Sequence, residues 1–516
     1  MKHPLFPIIA TEQLLKRTTS RCPVCHAACP AEVWRVASRP AKVFLKRTCP
    51  QHGEASVCIA SDARFYWLAK GKSENACCSA GGAGVLASRA SVSGANGSAV
   101  ACLPRSTCCS ADGSTIGVLG RNAAGRGDGP FETLSTCLAL IEIVNSCNLS
   151  CPTCYADSPP GTGHKVDAVP LEELQRRIQG VVDRKGGIEI LQLSGGEPTL
   201  HPRFFELVEW IQGNPGIDYL LLNTNGVRIV HDDEFLAGLA QVVRRDDFQL
   251  YLQFDGVQLE GQHALRGADL RTTRLRAIER CRDIKLPVTL AMTVTPDNLP
   301  FLWRAIEFGL QFPHIRGISF QPMFQSGRVP AVGQASRLSP SSEKENLRTE
   351  SLRQARRLSC TERLNTADII LAAVEQSQGK LRFEDFTPLP CGDPNCATIG
   401  YLLKANERTY SISDFIDFTQ VQDFLHDKVR YRLEDLMKCG CESEPLGELL
   451  KKFQMDESNT FRLFVKPFMD AWTWDEDRID RCCTHVIRPD GKLDSFCRYY
   501  SGFADCRVDS MKRSYE

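Results

Sequence analysis

Cys147, Cys151 and Cys154 stand at CxxxCxxC spacing within NSCNLSCPTCYA. Three thiolates on one tight loop can hold three corners of a [4Fe–4S] cluster and leave the fourth iron open to a ligand. Zinc is the competing occupant, but it normally takes four ligands, commonly as two CxxC pairs, and no fourth ligand is evident beside this loop. Gly195 follows Cys154 by 41 residues, within LSGGEPTLHP. Gly195 and Gly196 would let a ligand approach the backbone closely, and the Glu197 carboxylate could accept hydrogen bonds from an ammonium group. Further on, NTNG carries Asn223 and Asn225, whose amides could meet ribose hydroxyls, and Asp255-Gly256 ends another apolar run.

Two further groups of cysteines flank this centre. RCPVCHAACP and KRTCPQHG supply Cys22, Cys25 and Cys49, which read as two metal knuckles suited to zinc or a single iron. His52, Cys58 or Cys29 would complete the set, and the spacing does not choose among them. Toward the other end, LPCGDPNC carries Cys391 and Cys396, and DRCCTHVIRPDGKLDSFCRYY carries Cys482, Cys483 and Cys497. Adjacent cysteines near a Pro-Asp-Gly turn, with a third on the returning segment, suit a second cluster better than zinc. Buried thiols in a core are the alternative, and Cys482 and Cys483 cannot both point the same way from a strand.

The chemistry-bearing residues need a scaffold, and the intervening sequence supplies one. Strand-like apolar runs occur at 138–144, 188–193, 218–222, 248–254, 287–293 and 317–321. Helix-like stripes separate them, such as Leu171, Leu174, Ile178 and Val181, or Phe204, Phe205, Val208 and Ile211. Alternating β and α with apolar strands predicts a parallel sheet covered by helices. Six such units fit an incomplete barrel or a doubly wound sheet. In a β/α barrel the strand ends form the active face, which is where Glu197, Asn223, Asn225 and Asp255 fall. The expected organisation is a metal-knuckle module over 1–70, a Gly/Ser/Ala insertion over 71–130, a core over 131–325, a flexible insertion over 326–360 and a cysteine-rich region over 361–516.

Lysine plus arginine and aspartate plus glutamate are balanced at 62 each, so no nucleic-acid backbone or anionic surface is expected as the main partner. The 24 cysteines, with no secretory segment evident, point to a reducing, cytoplasmic setting where thiols bind metals rather than form disulfides.

CNLSCPTC followed by SGGEP resembles the radical S-adenosylmethionine (SAM) superfamily. The resemblance implies a partial (β/α)6 barrel in which Cys147, Cys151 and Cys154 bind the cluster and the open iron chelates SAM. It also implies that Ser194, Gly195, Gly196 and Glu197 position the methionine moiety, and that an external donor such as a flavodoxin or ferredoxin supplies the electron. The wider set of CPxC, CPxHG, PLPC, RCCxH, PDG and FC motifs resembles the tetraether synthase and dihydropterin dimethyltransferase-like group. That likeness covers about 20–70, 135–326 and 380–505. It implies a rubredoxin-like or zinc-ribbon-like N-terminal module and auxiliary [4Fe–4S] clusters at the C-terminal cysteines. One departure stands out. Related proteins carry a Gly-Cys-Pro-x-x-Cys-Gly-x-Cys segment before the first barrel strand, of which only the ending matches here, at Ser135-Thr136-Cys137.

The preferred expectation from sequence is carbon–carbon bond formation on a lipid chain; Phe468, Trp472 and Trp474 could then serve peripheral membrane docking, although such aromatics more often pack a core. A methyltransferase acting on a reduced pterin or another small heterocycle is the alternative. A non-catalytic iron–sulfur or zinc module is the third reading, disfavoured because an electron carrier needs no cofactor shelf at Gly195–Glu197.

Overall fold

The computed structural model describes residues 12–67, 137–243, 247–329, 363–389, 392–405, 408–414 and 459–501. Cys391, the expected insertion at 71–130 and nearly all of that at 326–360 lie outside these residues.

Alternating burial dictates the first module. Strands β1 (Glu12–Arg21), β2 (Ala28–Val36), β3 (Lys42–Cys49) and β4 (Gly53–Ala60) form an antiparallel sheet in that order. Ala31, Val33, Val43, Leu45 and Val57 bury one face, and Trp472 from far along the chain completes their cluster. Arg47, only 2% exposed, fastens this module in place. Its guanidinium donates to Ser20 Oγ, to the Arg21 carbonyl and to the carbonyls of Ala471 and Trp472. Lys16 adds an ion pair with Asp475 at 2.6 Å.

The six apolar runs become β5 (Leu138–Val144), β6 (Ile190–Gly195), β7 (Leu220–Thr224), β8 (Phe248–Gln253), β9 (Val288–Val294) and β10 (Ile315–Pro322). They are hydrogen-bonded neighbours in that order, all parallel. Between them run α1 (Leu171–Lys185), α2 (Phe204–Gln212), α3 (Val227–His231), α4 (Asp233–Val242), α5 (Gln262–Arg266), α6 (Arg271–Asp283) and α7 (Leu302–Leu310). The buried stripe of α1, Leu171, Leu174, Ile178 and Val181, packs in one core with Ile141, Leu191, Leu193, Leu222, Leu250 and Leu290. Each turn of helix thereby removes apolar area from water at roughly 25 cal/mol per Å². The alternate residues of the same strands, among them Gln192, Asn223, Tyr251, Gln253, Thr293, Ser319 and Gln321, line a cavity instead. One face under helices and the other around a cavity is the geometry of a partial barrel, not a doubly wound sheet.

The cysteine-rich region does not form a separate layer. It contributes β11 (Phe386–Pro388), β12 (Thr398–Ala405), β13 (Arg408–Ser411), β14 (Thr460–Val465), β15 (Thr484–Ile487) and β16 (Leu493–Ser495). Strand β14 pairs parallel to β10, and β15 pairs parallel to β5, so the barrel wall is extended at both edges. Every one of these strands belongs to the barrel's sheet.

Candidate active site

The loop after β5 carries the three central cysteines. Cys147 N–H donates to the Pro159 carbonyl at 2.9 Å, and Cys154 exchanges paired backbone bonds with Arg328, both at 2.8 Å. All three residues line the barrel cavity, whose volume is about 250 Å³. Burial pushes the Cys147 thiol up to about 12, reinforced by the nearby Glu197 charge. A thiol so costly to ionise alone is suited to a metal, which stabilises the thiolate directly. The donor chemistry therefore fits an iron–sulfur cluster at these residues.

Gly195 and Gly196 sit against this loop for a reason other than ligand access. A Cβ on Gly195 would lie 2.2 Å from the Val144 carbonyl oxygen, and one on Gly196 would lie 1.9 Å from that of Ser146. Gly195 also has φ +115°. The glycines let the end of β6 bond to the root of the cysteine loop, through Gly196 N–H to Val144 O at 2.6 Å and Glu197 N–H to Ser146 O at 3.0 Å. Both glycines still border the cavity.

Glu197 is buried, and protein donors occupy its carboxylate. Oε1 accepts from Thr199 N–H at 3.2 Å and from the Thr199 and Thr224 hydroxyls at 2.7 Å each, while Oε2 accepts from Asn225 N–H at 2.9 Å. Burial raises its carboxyl, and these hydrogen bonds oppose the rise. Asn225 passes the linkage on, since its Nδ2 donates to Asn148 Oδ1 at 2.7 Å within the cysteine loop. Glu197 thus ties β6, β7 and the cysteine loop together. Asn223 lines the cavity and donates to Ser194 Oγ at 3.2 Å. Ser194 itself is fully buried and meets the Tyr155 hydroxyl at 3.4 Å rather than bordering the cavity.

Asp255 differs most from the sequence expectation. It is fully buried and does not reach the cavity, because its carboxylate is bound bidentately by Arg266 at 2.6 and 2.8 Å. Thr293 N–H adds a bond at 3.1 Å and Arg274 lies 3.8 Å away. Arg266 is the group that faces the cavity, aimed there by Asp255. It ends α5, which braces the cysteine loop. Gly267, at φ +76°, abuts Pro152, and the Thr153 hydroxyl reaches the Ala264 carbonyl at 3.5 Å.

In the N-terminal module, the β1–β2 turn presents Cys22 and Cys25, and the β3–β4 turn presents Cys49 and His52. Their ligand atoms all lie within 4.8 Å of one another. The fourth position left open by the sequence is thus filled by His52, whose Nδ1 lies 3.7 Å from Cys22 Sγ and 3.6 Å from Cys49 Sγ. His52 holds the Cys49 thiol down to about 6. Cys29 is packed beside Cys22 and Cys49 with its Sγ bonded to the Ala27 carbonyl, and Cys58 borders a different cleft. Three thiols and an imidazole at this spacing fit a tetrahedral metal. His52→Ala is expected to lower the bound metal of the purified protein by one full equivalent, read by elemental analysis.

The C-terminal thiols Cys396, Cys482, Cys483 and Cys497 are all buried. The Cys482 thiol donates to Cys396 and the Lys466 ammonium lies 3.6 Å away, which together hold Cys396 far below its ordinary value. The adjacent pair diverges just before β15: Cys482 Sγ lies beside Cys396 with the Thr484 carbonyl 3.1 Å away, whereas Cys483 lines the barrel cavity. The aromatic residues with docking as their lesser reading take the commoner role of core packing. Trp474 is fully buried, Trp472 belongs to the N-terminal core, and Phe468 stacks on Phe496 with centroids 4.1 Å apart. Among the described residues no helix is long and apolar enough to cross a membrane.

Several cavity residues were not singled out from sequence, notably Arg266, Tyr155, Tyr251, Gln253, Gln321 and Lys466. A signal existed for some of them. Polar residues at every second position of otherwise apolar parallel strands, as in Gln249-Leu250-Tyr251-Leu252-Gln253, mark an inner face that is not core.

The profile of the Radical SAM superfamily matches residues 141–307, and that of the HMPTM N-terminal zinc ribbon domain matches residues 14–61. The 7,8-dihydro-6-hydroxymethylpterin dimethyltransferase of Methanocaldococcus jannaschii is 24% identical over 94% of this chain and 93% of its own. The GTP 3',8-cyclase of Actinobacillus pleuropneumoniae serotype 3 is 28% identical over 41% of this chain and 59% of its own. Among solved structures, Streptococcus suis SuiB bound to S-adenosylmethionine shares 14% identity over 43% of this chain and 48% of its own, with a TM-score of 0.31. The barrel that positions the cysteine loop is a radical S-adenosylmethionine domain, and this chain is a radical S-adenosylmethionine enzyme.

Proposed function

We propose that this enzyme is a methyltransferase acting on a reduced pterin or a closely similar small heterocycle. The observation that carries this reading is the mixed lining of the cavity, polar in some stretches of wall and apolar in others. Strands β6 to β10 present Gln192, Asn223, Tyr251, Gln253, Thr293, Ser319 and Gln321, a wall of donors and acceptors. Leu138 and Leu140 from β5, Phe324 just beyond β10, and Phe464, Phe468 and Phe496 from the C-terminal region add apolar stretches of wall, with Leu140 in register beside Gln192 and Phe464 beside Ser319. A flat heteroaromatic ring uses both kinds of lining at once, with its edge hydrogen-bonded and its face against apolar side chains. A lipid chain would offer no partner to the donors and acceptors that Asn223, Gln253 and Gln321 keep beyond their bonds to Ser194, Arg274 and Tyr251, each left unmet at roughly 1–3 kcal/mol. The relative named as a pterin dimethyltransferase, alike over nearly the whole chain, supports the same reading.

In this reading Cys147, Cys151 and Cys154 hold the cluster, with SAM beside Gly195, Gly196 and Asn223. Bound there, these cofactors supply a 5′-deoxyadenosyl radical able to take hydrogen from an unactivated carbon. Glu197 and Asn225 fix the cysteine loop, and Arg266 places a cation at the cavity wall. The polar wall orients the substrate, and the aromatic wall keeps water from the reacting carbon. Cys22, Cys25, Cys49 and His52 hold one structural metal, and Cys396, Cys482 and Cys497 contribute to a further cluster together with Cys391 or Cys483. Anaerobically reconstituted protein should then contain about nine metal ions. About four irons would remove the C-terminal cluster.

The test of the substrate is an anaerobic incubation with SAM, a one-carbon donor and reductant, containing either a reduced dihydropterin or extracted lipids. The expected result is a pterin heavier by a methyl substitution, with 5′-deoxyadenosine release that depends on the pterin. A coupled lipid product with unchanged pterin would overturn the substrate assignment while leaving the radical chemistry in place.

A further inference from the structure

We propose that Tyr155, Tyr500 and Tyr499, with Glu142 as proton acceptor, form a discharge path that removes the active-site radical when no substrate is bound. The path rests on the reading of Cys147, Cys151 and Cys154 as the radical-generating site. Tyr155 directly follows Cys154 in sequence and lines the same cavity as the three thiols. Its ring meets that of Tyr500 edge to face, with centroids 4.8 Å apart, and Tyr500 meets Tyr499 in the same way at 4.9 Å. Three readily oxidised phenols are therefore in continuous contact from the cavity into the helical turn Phe496–Ser501.

The carboxylate makes this more than packing. Glu142 lies on β5, and it accepts the Tyr499 hydroxyl on one oxygen at 2.7 Å and the Tyr500 hydroxyl on the other at 2.8 Å. A phenol loses its proton when it loses an electron, so oxidation inside a protein needs a base within hydrogen-bond reach. Glu142 supplies that base to both residues at once. Phe496, which also touches Tyr155 and Tyr500, has no such proton and cannot substitute for them.

Atoms and electrons balance at every step of the path. Tyr155 gives its phenolic hydrogen atom to the carbon radical: the O–H bond breaks, a C–H bond forms at the 5′ carbon, and a phenoxyl radical remains. Tyr500 then passes an electron to Tyr155, which takes a proton from solvent water and leaves hydroxide to the bulk buffer, and the Tyr500 proton moves to Glu142. Tyr499 passes the next electron to Tyr500, which recovers its proton from one oxygen of Glu142 while the Tyr499 proton goes to the other. The radical comes to rest on Tyr499, where one electron from the external low-potential donor and the proton held on Glu142 restore the phenol and the carboxylate. An O–H bond weaker than the C–H bond formed drives the first step, and the similar side chains make the later ones nearly level.

The experiment uses the full chain, reconstituted with iron and sulfide and equilibrated in deuterated water, with SAM and dithionite but no substrate. The expected result is 5′-deoxyadenosine carrying one solvent deuterium on its 5′ carbon. Freeze-quenched samples should show a phenoxyl radical by electron paramagnetic resonance, its hyperfine structure collapsing when the protein is made with ring-deuterated tyrosine. Tyr155→Phe keeps the ring and should retain the cluster absorbance, yet lose the deuterium incorporation. Tyr500→Phe should retain the deuterium and leave the phenoxyl radical confined to Tyr155. Cleavage by the unaltered protein with no solvent deuterium in the product, or unchanged labelling in Tyr155→Phe, would overturn the path alone. No cleavage at all would overturn the cluster assignment beneath it, and the path with it.

Discussion

Replacing Cys147, Cys151 and Cys154 together with alanine is expected to abolish release of 5′-deoxyadenosine and to remove about four irons from the reconstituted protein. The three thiols are brought to one cavity by a loop whose backbone is fixed at both ends, through Cys147 to Pro159 and through Cys154 to Arg328. The fold should survive the change, because main-chain groups and the Asn225–Asn148 bond anchor the loop, and only the weaker bonds of Leu149 N–H and Asn225 to Cys147 Sγ are lost. Circular dichroism and thermal unfolding should therefore stay near the unaltered values while the iron content falls. Reductive cleavage that persisted in the reconstituted triple variant would remove the central assignment.

The largest loss of stability from a single substitution is expected at Asp255. Its carboxylate is wholly buried between Arg266 and Arg274, themselves nearly inaccessible to solvent. Asp255→Ala would leave two guanidinium groups buried without their shared anion, a change worth about 3–5 kcal/mol. Thermal unfolding should register it as a clear fall in midpoint. Arg266 would also lose its aim into the cavity, so SAM cleavage should fall in whatever protein remains folded. The pH dependence has a definite sign. Burial alone would raise the Asp255 carboxyl, but Arg266, Arg274 and the Thr293 amide outweigh it and hold it below the ordinary carboxylate value. The stabilisation is then present at neutral pH and is lost only as pH falls below the usual carboxylate range. A midpoint unaffected by the substitution would mean that the arginines have another counter-charge.

Local sequence sufficed for much of this protein. The six barrel strands lie where their apolar runs lie, because a parallel strand must bury its helix-facing side and β-branched and leucine-rich runs do that wherever they occur. The CxxxCxxC loop, the Gly195–Glu197 turn and the NTNG turn were legible for a related reason. Each is a short segment whose chemistry or backbone freedom depends on its own residues. The metal module was legible to the same extent: two turns with cysteines declared a site, but only the approach of β1–β2 to β3–β4 selected His52 over Cys29 and Cys58.

What the tertiary structure decided was the direction of each polar side chain and the partners waiting for it. Glu197 and Asp255 are carboxylates at strand ends, and nothing within either segment reveals that Thr224 and Asn225 from the next strand, or Arg266 from 11 residues later, will occupy them. Likewise, Phe468, Trp472 and Trp474 read as core more readily than as a docking surface, but only the N-terminal sheet packed over Trp472 decides it. The cavity's polar lining comes from strands β6 to β10, and its apolar lining from β5, Phe324 and residues beyond 388. Substrate choice therefore rests on contacts across more than 300 residues of chain, which hydrophobic periodicity cannot encode because it records burial along one segment and not which segments meet.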